Sequence, residues 1–287
     1  MWPLEPSRRE YLRIGAHAVE RWAGTPSRLE CLASHALPAS SSAQSRAASG
    51  AHLEAALQSL YVDKPKSTVT LLMESAVMPA QLVEVGADAW APSQVLMLLR
   101  HRLNALYGEA GMTLDAWDAR IDYKAGEPFA LGYGLPTSLK LGLIKACQSA
   151  GIECVGLLPA LAWGLSRLKP GRRWPERRGW LAWAEQDRAL LARFDAGRAV
   201  SLNAAATLTD ASSKLVRQIE IEQVRCGTSG SGPIIATRWD AGHASIASEL
   251  NSHDTTHRPV TWIDIGTADV LDATGTRQTA RAAVGRR

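Results

Sequence analysis

Cysteine is scarce in this chain of 287 residues: there are four, Cys31, Cys147, Cys154 and Cys226, and no two stand in a C-x-x-C pair. Neither a zinc site nor a disulfide framework is indicated, and Cys147 and Cys154 read as small buried apolar residues. Phenylalanine is scarcer still, two against ten Trp, and Lys is a minor part of the positive charge, which Arg dominates. We read the Arg and Ala excess as the coding bias of the source. There is no long apolar run. The most apolar stretch, residues 152–165, carries Glu153 and Pro159, whereas a membrane span needs about 20 residues. The first ten residues lack the apolar centre of a signal peptide, so a cytoplasmic protein is expected. With 46% apolar and 21% charged residues the chain cannot be wholly disordered. A net charge of +4 and a pI near 9.0 are too mild to argue for nucleic acid.

What is present is an alternation of strand and helix signals. Tyr11–Gly15, Ala18–Trp22 and Arg28–Leu32 read as three short strands, and Leu53, Ala56, Leu57 and Leu60 have helical spacing. Thr68–Met73, β-branched and nearly all apolar, suits a central strand covered on both faces. A strand is expected at Gln81–Val85. Pro92-Ser93 opens a helix whose stripe is Val95, Leu96, Leu99, Leu103 and Leu106. Trp117–Tyr123 and Pro128–Tyr133 read as paired strands. Pro136 stands at the first turn of a helix with Leu139, Leu143, Ile144 and Cys147 on its apolar face, and Gly151 lies just past its end. A strand at Ile152–Gly156 and a helix at Pro159–Leu168 follow. This is an α/β layer pattern with a mainly parallel or mixed sheet.

Lys169–Arg178, with two Pro, one Gly and five basic residues, is the clearest break in composition. Beyond it come strands at Gly179–Trp183, Ala189–Phe194 and Ala199–Leu202, a helix over Asp210–Val224, a strand at Pro233–Trp239 and an apolar run at Val260–Ile265. One order of elements, a three-stranded meander leading to a helix and a further strand, thus occurs twice. We expect a first lobe over residues 1–170, a second over 171–265, and a flexible basic tail over 266–287.

Two lobes of this kind resemble the actin-like, ribonuclease H-like fold shared by actin and sugar kinases. Within that group the chain resembles the PilM and GspL type of cytoplasmic component in type IV pilus and type II secretion assemblies. The likeness is strongest over Thr68–Asn203. It is carried by Tyr133-Gly-Leu-Pro136 before a helix, the Ala150-Gly151-Ile152 turn, and Leu158-Pro-Ala-Leu-Ala-Trp163. The resemblance implies a non-enzymatic scaffold peripheral to the inner membrane. It would hold a short cytoplasmic segment of a membrane protein, with self-association possible and no nucleic acid expected.

In active members of the fold, an acidic strand end followed by Gly sets backbone N–H groups at the phosphates of ATP and a carboxylate near its Mg²⁺. Here the first strand reads Leu12-Arg13-Ile14-Gly15: the turn glycine stands, but Arg13, which has no acceptor, occupies the acidic position. The matching turn of the second lobe reads Ala184-Glu185-Gln186-Asp187 and has no glycine. The nucleotide site, if any, would comprise Arg13, Gly15, Glu185 and Asp187. The expectation is a degenerate nucleotide cleft with no cofactor, in which Arg13 takes the vacated space and pairs with a carboxylate. The alternative is an ATPase or kinase of the same fold with unusual phosphate loops.

Other candidates have simpler explanations. The Gly-rich Cys226–Pro233 has G-x-x-x-x-G spacing, but Pro233-Ile234 replaces the Lys-Ser/Thr of a P-loop and a strand follows it. Asp264-Ile-Gly266 echoes the phosphate turn without a meander after it. His253 and His257 are four apart beside Thr255, Thr256 and Pro259, which suit a loop. Asp115, Asp118 and Asp122 could serve as acid and base, or as surface charges on a strand rim. The Lys169–Arg178 run, with Trp174, could meet anionic lipid or nucleic acid, but suits a solvated linker.

Overall fold

The computed structural model describes residues 9–25, 28–38, 50–62, 66–86, 90–108, 111–168, 178–186, 188–206, 212–225, 232–238, 260–264 and 270–271. Asp187, residues 169–177, 226–231, 253, 257, 266 and 272–287 lie outside them. These comprise one acidic candidate of the second turn, most of the basic run, most of the Gly-rich loop, the histidine pair and most of the tail.

The first sheet is mixed. Strands β1 (Arg9–Ile14), β2 (Ala18–Thr25) and β3 (Arg28–Ala36) form an antiparallel meander. β4 (Thr68–Met73) and β8 (Glu153–Pro159) add in parallel, giving the order β3-β2-β1-β4-β8. Helix α1 (Gly50–Tyr61) connects the meander to β4 as a crossover, the connection a parallel pair requires. A second sheet repeats the plan with β9 (Arg178–Ala184), β10 (Arg188–Asp195), β11 (Arg198–Ala206), helix α5 (Ser212–Arg225) and β12 (Ile234–Arg238). β13 (Val260–Asp264) and β14 (Val270–Leu271) extend it, in the order β11-β10-β9-β12-β13-β14. The repeated order read from the sequence is therefore a repeated topology, and the molecule is a two-lobed α/β protein.

Between β4 and β8 lies a third sheet of β5 (Ala80–Glu84), β6 (Trp117–Asp122) and β7 (Phe129–Pro136), with β7 in the middle. Helix α2 (Pro92–Tyr107) covers one face. Val95, Leu99 and Leu103 pack on Val83, Ala119, Ala130 and Trp117. Gly132 and Gly134 leave room for Leu99 and Leu103, whose methyl carbons would lie 2.4 and 2.2 Å from added β-carbons. Leu106 departs from the expected stripe: it shares the angular position of the buried three but is 57% exposed, so the last turn of the helix overhangs the short strands.

Helix α3 (Thr137–Ser149) follows β7, and α4 (Ala160–Leu168) follows β8 and ends the first lobe. Pro136 closes β7 ahead of α3, and Pro159 closes β8 instead of opening the next helix. Gly151 takes the expected left-handed turn, φ +70°. The main core crosses both lobes: Leu12, Ile14, Leu71, Leu72 and Trp163 belong to one buried cluster with Leu181, Trp183, Leu190 and Ile235. Gly164 of α4 lies flat against the Trp183 ring, with 2.0 Å from an added β-carbon to the ring. Trp117, Trp163, Trp180 and Trp183 are buried. Trp90 packs at the margin of the α2 core.

Candidate functional site

The parallel pairing of β1 with β4 sets Arg13 opposite Leu72 and Ile14 opposite Met73. Their carboxyl ends therefore meet, and Gly15 and Glu74 lie side by side. Glu74 N–H donates to Ile14 O at 3.0 Å. From the second lobe, the turn after β9 brings Glu185 and Gln186 to the same point. In open α/β sheets this end is where ligands bind.

Arg13 points inward and is buried. It is paired across the hairpin with Glu20, Nη1 to Oε2 3.0 Å, and its Nη2 bridges to Glu74. Trp22 Nε1–H donates to the same Glu20 oxygen at 2.9 Å. One guanidinium thus holds two carboxylates, Glu74 fully buried and Glu20 nearly so. Burial pushes the Glu74 carboxyl above its ordinary range, and the Arg13 charge pulls it back. On the other face of the same hairpin, Arg21 makes a forked pair with Glu10 at 3.0–3.2 Å, donates to Leu60 O at 3.2 Å and stacks over Tyr61. Burial and Glu10 together raise the Tyr61 hydroxyl.

The second lobe closes this site with hydrogen bonds. Gln186 Oε1 accepts from the backbone N–H groups of His17 at 3.1 Å and Ala18 at 2.9 Å. Its Nε2 donates to Ala18 O at 3.2 Å and Glu20 Oε1 at 3.3 Å, and its own N–H donates to Glu74 Oε2 at 3.1 Å. Glu185 accepts from Ser75 N–H at 2.8 Å and from the Ser75 hydroxyl. Burial first, then the Glu74 charge, lift the Glu185 carboxyl to about 8, against the opposing effects of Ser75 and Arg188. At neutral pH this carboxyl holds its proton.

A Mg–nucleotide does not suit this arrangement. The donors of the first turn that would face a phosphate are taken by the Gln186 carboxamide. A β-carbon on Gly15 would sit 2.2 Å from Gln186 Oε1 and 2.5 Å from Glu74 Oε2, so the space above the glycine is filled from within the chain. The Glu20 and Glu74 carboxylates offer a phosphate no donor, and Arg13 is already committed to both of them.

Of the residues singled out in the sequence, Arg13, Gly15 and Glu185 converge here. Glu74, Glu20 and Gln186 were missed. Glu74 and Glu20 look like ordinary charges at strand ends, and their only signal was that an inward Arg13 must find carboxylates. The three aspartates do not assemble. Asp118 pairs with Lys140 at 2.5 Å, Asp115 with Arg100 at 3.6 Å, and Asp122 is exposed. Among the described residues no cluster of His, Cys, Asp or Glu could hold a metal ion, and no helix is long and apolar enough to cross a membrane.

No protein-family model and no curated protein matches this sequence. Solved structures do match it. The "PilM-PilN type IV pilus biogenesis complex" superposes with a TM-score of 0.53 at 13% identity, over 83% of this chain and 82% of that one. The cytoplasmic domain of EpsL, an inner-membrane component of the type II secretion system of Vibrio cholerae, gives 0.48 at 16% identity, over 80% and 82%. A Bacteroides thetaiotaomicron protein of actin-like ATPase fold and unknown function gives 0.46 at 10%, over 83% and 84%. The chain has the two-lobed actin-like fold that the resemblance implied, and at these identities the likeness is one of fold.

Proposed function

We propose that this chain is a non-enzymatic actin-like scaffold. It works at the cytoplasmic face of an inner-membrane assembly of the pilus or type II secretion kind and holds the cytoplasmic segment of a membrane-anchored partner. The observation that carries the reading is the Gln186 contact. The two turns that grip phosphate in catalytic relatives of the fold here grip each other, leaving surfaces as the working parts. The pilus and secretion neighbours support the setting, and the PilM–PilN pair supports a partner of the membrane-anchored type. The sequence-based limits of the reading are lobe I over 1–170, lobe II over 171–265 and a tail over 266–287, with β14 (Val270–Leu271) of the second sheet standing past the 265 limit.

Two measurements test it. Equilibrium dialysis with Mg-ATP is expected to give no saturable binding. A peptide copying the cytoplasmic segment of a single-span membrane protein encoded beside this gene is expected to bind saturably. Clear Mg-ATP binding that disappears in Gly15→Val would refute the scaffold.

A second reading, an ATPase or kinase with unusual loops, is favoured by one feature, the protonated Glu185 at the lobe junction, since shifted carboxyl groups gather at catalytic sites. It requires turnover that falls in Glu185→Gln or Asp187→Asn.

A further inference from the structure

Three carboxyl groups and one guanidinium are buried where the lobes meet: Glu20, Glu74, Glu185 and Arg13, none more than 9% exposed. Arg13 pairs with Glu20, at 3.0 Å, and with Glu74. With all three acids ionised, one positive charge would face three negative ones away from water, a costly arrangement. A proton on one of them relieves it.

The partners of each oxygen decide where that proton sits. Glu20 Oε2 faces Arg13 Nη1 at 3.0 Å and Trp22 Nε1–H at 2.9 Å, and its Oε1 faces Gln186 Nε2 at 3.3 Å. Glu74 Oε1 faces Arg13 Nη2, and its Oε2 faces Gln186 N–H at 3.1 Å. These partners only donate, so both carboxyls are held ionised. Glu185 differs. Its Oε1 accepts from Ser75 N–H at 2.8 Å, but its Oε2 meets the Ser75 hydroxyl, which can accept as well as donate. A proton on Oε2 pointing at Ser75 Oγ breaks no contact. Ser75 is only half-buried, so its own hydroxyl hydrogen can turn to water.

We propose that the lobe junction is a proton-linked clasp: Glu185 and Gln186 dock on the first lobe with one proton held on Glu185, and loss of that proton releases them from Ser75 and from the β1–β2 turn. Ionised Glu185 meets the Glu74 charge at the end of β4. Arg188 at the start of β10 and the Ser75 donors favour its charged form, while Arg13 on β1 is committed to Glu20 and Glu74. His17 of the β1–β2 turn gives Gln186 only its backbone N–H. Burial and Glu74 prevail and hold the Glu185 carboxyl at about 8, against an ordinary 4.5. The docked form keeps the proton and the released form gives it up, so docking is strongest below 4.5 and weakens as pH rises through about 8. Release is local, because the core that joins Leu72 and Trp163 to Trp183 and Leu190 stays packed. The clasp goes beyond the scaffold reading and would operate in a scaffold and in an enzyme alike.

The test is hydrogen exchange of the full chain, read by NMR at the three amides the clasp covers, Ser75, His17 and Ala18. Protection factors, from which the intrinsic pH dependence of exchange has been divided out, are expected to fall about tenfold per pH unit from about pH 5.5 to 7.5, the slope of one released proton, and to level off above about 8. Dilute urea should leave these three unchanged, as for a local opening, while it speeds exchange at the Leu12 and Leu72 amides of the core. Glu185→Gln, which keeps the shape and cannot ionise, is expected to hold the clasp shut with protection independent of pH. Protection independent of pH in the unaltered chain would overturn the proposal. So would clasp amides that exchange only together with the core, in a urea-sensitive unfolding. Neither outcome needs a variant to fold. A slope that survives in Glu185→Gln would also overturn it, by placing the proton on another group.

Discussion

Arg13 shows how much a single side chain can decide. On an inward-facing strand position a guanidinium has no water to solvate it and must bring carboxylates in with it. Glu20 and Glu74 are those carboxylates, each needed by the other two members of the set. Arg13→Met keeps the length of the side chain and strands both acids, so unfolding free energy is expected to fall by about 3–5 kcal/mol, measured by urea denaturation. Adding Glu74→Gln to it should return part of the loss, since one stranded charge is removed. Glu185 yields a prediction in pH. Its carboxyl stands at about 8 in the folded chain against an ordinary 4.5, so the native state binds the extra proton. The stabilisation is complete below 4.5 and is lost as pH rises through about 8. Chemical denaturation at intervals across that window should show stability declining towards alkaline pH. Glu185→Gln, which keeps the shape and cannot ionise, should flatten that part of the profile. An unchanged slope in the variant would show that another group is responsible.

Among the elements, the turn between β9 and β10 matters most. A glycine-bearing turn there would have left a gap facing the first lobe; Gln186 instead spans to the β1–β2 turn and satisfies three backbone groups there. Gln186→Ala is expected to cost about 1–3 kcal/mol and, more tellingly, to accelerate hydrogen exchange at the His17 and Ala18 amides while α2 remains protected. The seam between α4 and β9 gives a steric prediction. Gly164→Ala would force a methyl group into the Trp183 ring, so α4 must lift or the indole must turn. The expected loss is about 1–3 kcal/mol, with a blue- or red-shifted tryptophan emission reporting the moved ring. The elements were largely legible in the sequence. The three meander strands, the α2 stripe and the Pro-led α3 each carry their own period or punctuation. Leu106 was misjudged because periodicity reports angular position and is blind to whether a strand lies beneath the last helical turn.

At the scale of the whole molecule, the lobes share a core that runs from Leu12 and Leu72 through Trp163 to Trp183 and Leu190, and a surface pair, Arg198 with Glu127 at 3.1 Å, joins β11 to the third sheet. Unfolding is therefore expected to be a single transition seen alike by tryptophan fluorescence and far-UV circular dichroism. Two separated transitions would mean that the lobes are independent. The sequence by itself determined the repeated strand–helix order, the buried faces and the presence of Arg13 where an acid belongs in catalytic relatives, because these depend on local period and on residue chemistry. Only the tertiary structure decided that Glu20, Glu74, Ser75, Glu185 and Gln186 gather around that arginine. Those contacts join residues up to 169 positions apart, across two lobes whose approach is set by apolar packing, and no local pattern in the chain encodes which polar groups that packing brings together.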